Sequence, residues 1–66
     1  MNISEAIKRG GNILKKNGIK TYKLDCEILI SQVFKKNRID MILNSSKKLS
    51  DKQIILFNDL IDKKYF

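Results

Sequence analysis

The stretch from Tyr22 to Lys36 constrains this chain most. Its apolar residues are Leu24, Cys26, Ile28, Leu29, Ile30, Val33 and Phe34, and at helical spacing they spread over most of the circumference. A helix that is apolar nearly all round has to be buried. Other elements must therefore surround it, and they must come from a chain of only 66 residues. A domain this small buries only about 60% of the surface that its unfolded chain exposes. Short helices with local contacts are the most direct way to cover such a segment. The sequence has no proline, no alternating strand pattern and no low-complexity tract.

Three further helical segments can be placed around it from periodicity and capping signals. The first is expected from Ile3 to Asn17. Ile3, Ala6, Ile7, Gly10, Ile13 and Leu14 fall within an arc of about 120° at 100° per residue, a one-sided apolar stripe. Lys15 and Lys16 suit its negative end. Gly18 is expected as a left-handed residue closing it, with Ile19 making the accompanying apolar contact. Gly10 and Gly11 each cost up to about 1 kcal/mol relative to alanine in mid-helix. A close approach by another helix accounts for Gly10, which lies on the stripe. Gly11 lies off it, and the sequence offers no reason for it.

In the second helix Thr21 is expected as the N-cap. Asp25 and Glu27 lie near its positive end, and Lys35 and Lys36 near its negative end. A short third helix is expected over Ile39 to Asn44, with Met41, Ile42 and Leu43 plugging one end of the core. Asn44 to Lys48 then reads as a polar loop. The last helix opens on a capping box, Ser50-Asp51-Lys52-Gln53, flanked by Leu49 and Ile54 as a hydrophobic staple. Its core face is Ile54, Phe57, Leu60 and Ile61, and Ile55 points away. Tyr65 and Phe66 arrive with nothing evident to pack against, which reads as a domain boundary. The expected architecture is all-α: one four-helix, bundle-like domain over 1–66, with a buried second helix and a short third one.

Several classes of chemistry lack their residues. The chain has one cysteine, Cys26, and no histidine. It has no thiol pair for an internal disulfide, too few ligands for a structural zinc site, and no histidine to serve as a triad base. This usage suits a reducing, cytoplasmic setting. No apolar run of about 18 residues exists to span a membrane, and the N-terminus does not read as a signal peptide. Gly10-Gly11 lacks the strand and spacing of a phosphate loop. Asp25 and Glu27, two apart on a helix, point in different directions and are not an acid pair. Cys26, beside those acids, reads as a core residue rather than a nucleophile. No catalytic, cofactor-binding or metal-ligating residue is assigned.

The net charge is +7. Such a balance suits nucleic acid or an acidic partner, but the lysines come as pairs, Lys15-Lys16, Lys35-Lys36, Lys47-Lys48 and Lys63-Lys64, at expected helix ends. Solvated helix ends and AT-rich coding explain them better than selection for a polyanionic partner does. The aromatic residues do not interleave with basic ones as base stacking requires. The central helix is too apolar to be a recognition helix, and Asp51, Asp59 and Asp62 counter the lysines of the last one. Nucleic acid is therefore not the expected partner.

The order of these features resembles the N-terminal domain of the PrmC/HemK family, the release factor glutamine methyltransferases. The first helix ends in Lys-Asn-Gly18-Ile19. Thr21-x-x-Leu24-Asp25-Cys26-Glu27-Ile28-Leu29-Ile30 is similar to the family's leucine, aspartate, small residue, glutamate and leucine-rich run. Lys36-Asn37-Arg38 precedes the short helix, Leu49-Ser50 opens the last one, and Lys63-Lys64 falls where paired arginines lead into the catalytic domain. The resemblance covers nearly the whole chain but only the first quarter or so of a family member. It implies an N-terminal docking domain that helps hold a class 1 peptide chain release factor while the glutamine of its Gly-Gly-Gln motif is methylated. It also implies a C-terminal catalytic domain that binds S-adenosylmethionine and presents an Asn-Pro-Pro-Tyr loop. That loop has no counterpart in a sequence without proline, so no catalytic or cofactor residue carries over. The chain departs from the family in Gly10-Gly11, where small helix formers are usual, and in ending on Tyr65-Phe66 rather than a Gly/Glu-Pro segment. Two other readings stand beside this one: a free-standing basic module that binds nucleic acid or an acidic protein, and a purely structural domain that shields its catalytic partner. Ile55 and the charged outer faces are the surface features to watch.

Overall fold

A computed structural model of the chain describes residues 1–65. Four helices follow one another: α1 (Ile3–Lys16), α2 (Tyr22–Phe34), α3 (Arg38–Leu43) and α4 (Asp51–Tyr65). Extended pairing among the described residues is limited to an isolated antiparallel bridge between Asn2 and Lys48. The fold is all-α, and α2 packs against each of the other three helices. None of the described helices is long and apolar enough to cross a membrane.

The start of α1 is tied more firmly than its sequence suggests. A helix leaves its first four amides without intrahelical acceptors, and all four find partners here. Asn2 and Glu5 form a capping box: the Asn2 amide donates to Glu5 Oε1 at 3.1 Å, and the Glu5 amide to Asn2 Oδ1 at 2.8 Å. The amides of Ile3 and Ser4 donate to the carbonyls of Lys47 and Ser45, each at 2.9 Å. The 44–48 segment is thus more than a polar connection; its carbonyls close the N-terminus of α1.

At its other end α1 stops one residue short of the expected Asn17. Gly18 is left-handed, with φ +80°. The amides of Gly18 and Ile19 donate back to Lys15 and Leu14 at 3.1 and 3.0 Å, the double bond of a Schellman motif. α2 ends in the same way but without a glycine. Lys35 takes φ 55°, and the amides of Lys35 and Lys36 donate to Gln32 and Ser31 at 3.2 and 3.0 Å. The helix therefore ends at Phe34, two residues before the expected Lys36, and the lysine pair lies beyond its last turn. Thr21 does precede α2, but its side chain caps no amide. Its hydroxyl donates to Asp25 Oδ2 at 3.0 Å instead.

The core combines Ile3, Ala6 and Leu14 of α1 with Cys26, Leu29, Ile30 and Val33 of α2, Met41 of α3, Leu49, and Phe57 and Ile61 of α4. The α4 capping box forms as expected, with the Ser50 amide on Gln53 Oε1 at 2.8 Å and the Gln53 amide on Ser50 Oγ at 3.2 Å. Ile54 and Leu60 pack half-buried against the core, and Ile55 points outward. Three expectations need correcting. Ile13, placed on the α1 stripe, is exposed, because burial on α1 rotates toward Gly11 and α2. Leu24 and Ile28 of α2 are 40% and 37% exposed, because a six-residue α3 is too short to cover that side. α3 also inserts only Met41, and Ile42 and Leu43 stay exposed. Tyr65 does pack against the core; Phe66 lies outside the described residues.

A candidate docking surface between α1 and α2

Gly10 and Gly11 set the geometry of this region by facing different neighbours. A Cβ at Gly10 would lie 2.9 Å from Phe57 Cζ and 3.0 Å from both Cys26 Sγ and Ile61 Cδ1. α1, α2 and α4 meet at that point, as the glycine on the apolar stripe suggests. Gly11 is also buried, under the ring of Tyr22. A Cβ there would lie 3.4 Å from Tyr22 Cδ2, an ordinary contact. Beside it a groove of about 300 Å³ runs between the helices, lined by Ser4, Ile7, Lys8, Gly11, Asn12, Tyr22 and Lys23. Through Ser4, Ile7 and Lys23 it continues to Glu27, Ile42 and Ser45. Past Tyr22 and Lys23 it opens toward Lys20, Leu24 and Arg38.

The floor of this groove is apolar and its rim is basic. Lys8, Lys20, Lys23 and Arg38 stand on it against one acid, Glu27. That acid is engaged: Arg38 Nε lies 3.3 Å from Glu27 Oε1. The other ion pair among the described residues joins Lys63 and Asp59 on α4, so neither pair involves Lys8, Lys20 or Lys23. The Lys15 ammonium sits 5.7 Å from the Tyr22 ring centroid, a cation–π arrangement that holds the ring in place.

The chemistry of the neighbouring polar groups is inert. Burial, followed by the charges of Asp25 and Glu27, pushes the Cys26 thiol up to about 11. A thiol so placed is neutral at ordinary pH and is not a nucleophile. Burial, together with a hydrogen bond to Asp25 and its charge, raises the Tyr65 hydroxyl to about 12. Asp25 itself accepts a hydrogen bond from the Thr21 hydroxyl at 3.0 Å. Among the described residues no three histidine, cysteine or carboxylate side chains gather as a metal site would require. Neither Cys26 nor Tyr65 is poised to react at ordinary pH.

Sequence reasoning singled out Ile55, and it stands 68% exposed on α4 beside the 44% exposed Leu56, away from the α1–α2 groove. It missed Lys8, Gly11, Tyr22 and Lys23. The available signal was the one glycine left without a reason.

The family model of the PrmC N-terminal domain matches residues 5–64, reaching into all four helices. This chain belongs to the PrmC N-terminal domain family. That places it in the PrmC/HemK methyltransferase family, and every residue named on the groove except Ser4 lies within the matched span. Comparison with curated proteins and with solved structures finds no match.

Proposed function

We propose that this PrmC N-terminal domain is the substrate-docking part of a protein methyltransferase. The enzyme would methylate the glutamine of the Gly-Gly-Gln motif in class 1 peptide chain release factors in the cytoplasm. In this reading, residues 1–66 form one domain ahead of a C-terminal catalytic domain, which binds S-adenosylmethionine and performs the transfer. Membership of the family carries the proposal. The +7 net charge supports it, because a basic surface gains on-rate and orientation with an acidic protein. The residues present do not fit the cofactor itself. The rim of the groove is cationic, as is the sulfonium, and its carboxylate is engaged by Arg38. No step of the methyl transfer is therefore derived through this chain.

The test is calorimetric titration of the 66-residue chain with a class 1 release factor at about 50 mM and about 300 mM salt. A duplex DNA and a single-stranded RNA oligonucleotide serve as comparisons. Release factor binding that weakens as salt rises, with weaker or no oligonucleotide binding, is the expected result. Tighter binding of either oligonucleotide would favour the basic nucleic-acid module. Absence of any binding, with stabilisation of the catalytic domain in trans, would favour a purely shielding role.

A further inference from the structure

The α1–α2 groove combines an apolar floor with a basic rim, and we infer that it seats an acidic segment of the protein partner that presents one or two apolar side chains. The inference rests on the docking reading and places that reading on particular residues. From Ser4 to Asn12 the groove follows α1 for about 12 Å at 1.5 Å per residue, enough for two turns of a partner helix. Ile7 and Tyr22 supply contact for apolar side chains midway, and Ile42 supplies it at the far end. Lys8, Lys20 and Lys23 take no part in the ion pairs of the described residues. Their charges thus remain available to carboxylates flanking the apolar anchor, the arrangement of a buried centre within a charged rim.

A protein segment fits better than a nucleic acid. Phosphates gain nothing from an apolar floor, and bases need an open aromatic face on which to stack. The edge of Tyr22 covers Gly11, and the Lys15 ammonium lies over one face of the ring, which leaves a base less of the ring to stack on than an apolar side chain needs for contact.

The test compares three variants of the 66-residue chain in affinity for a class 1 release factor, after melting curves confirm that each is folded. Lys8→Glu with Lys23→Glu reverses the rim. Ile42→Ser removes exposed apolar surface at the far end. Lys52→Glu with Lys64→Glu makes the same change in net charge on α4, away from the groove. The rim variant is expected to lose at least about tenfold in affinity, while the α4 variant loses less than about threefold. Ile42→Ser is expected to weaken binding several-fold at unchanged salt dependence. Equal losses from the two charge-reversal pairs would reduce the effect to net charge and overturn the groove assignment, leaving docking itself standing. Loss of RNA oligonucleotide binding in the rim variant, with release factor affinity unchanged, would assign the groove to nucleic acid and overturn the proposal. No binding by the unaltered chain would overturn the docking reading together with the inference built on it.

Discussion

Two adjacent glycines divide α1 into flanks that do different things. At Gly10 three helices converge until a single methyl group would meet Phe57, Cys26 and Ile61 well inside van der Waals contact. At Gly11 the nearest neighbour is the edge of Tyr22, at a distance that a methyl group tolerates. The first glycine lets the domain close on itself. The second leaves a channel that the domain does not fill. In a chain this small every mid-helix glycine is a noticeable cost, so two glycines with different environments point to two different uses.

The largest expected effect comes from closing the packed flank. Gly10→Ala gains helix propensity but overpacks a site walled by buried side chains, and a net loss of about 1–2 kcal/mol is expected in urea unfolding. Should Gly10→Ala prove neutral, the seam is softer than its distances imply. Next come the caps that hold the two partners of that seam. Asn2→Ala frees the amide of Glu5 at the start of α1, and Ser50→Ala frees that of Gln53 at the start of α4. Each is expected to cost about 1 kcal/mol. Asn2→Ala also tests whether the carbonyls of Ser45 and Lys47 can hold α1 without it, which would show as a smaller loss than that at Ser50.

Alkaline pH probes the same flank without a mutation. Cys26 Sγ lies at the seam, and its thiol is raised to about 11 from an ordinary 9.0; Tyr65 is raised to about 12 from 10.0. A raised folded-state value means that the neutral form is favoured in the fold. Their contribution is full below pH 9 and falls as the unfolded chain ionises first, levelling off only above pH 12. Stability is therefore expected to decline between those limits, and the decline should be smaller in Cys26→Ala. An identical decline in that variant would remove the thiol from the account.

Much of this architecture is legible in the sequence because its signals are local. The capping box at Ser50 and Gln53 and the left-handed Gly18 with its Ile19 contact all act within a few residues. The close approach at Gly10 is legible too, from its place on the apolar stripe, although its partners Cys26, Phe57 and Ile61 lie far along the chain. Much of what is not legible depends on partners far along the chain. Nothing near Ile3 and Ser4 shows that carbonyls of 45 and 47 will take their amides. Lys35 gives no hint of a left-handed end, since a lysine carries no preference for the φ of 55° that it takes. All-round burial of α2 fails at Leu24 and Ile28 because periodicity reports the hydrophobicity of a face and not whether a neighbour is long enough to cover it. The groove is hidden for the same reason: it exists only once Tyr22 lies over Gly11.

The most direct measurement is the unfolding free energy of Gly10→Ala beside that of Gly11→Ala, in urea under identical conditions. One methyl group is added at neighbouring positions of one helix, so propensity contributes equally to both. The account predicts opposite signs: a loss at Gly10, and at Gly11 a gain of up to about 1 kcal/mol. Losses of similar size at both positions would contradict it, showing that α1 is packed alike on its two flanks and has no open side to offer a partner.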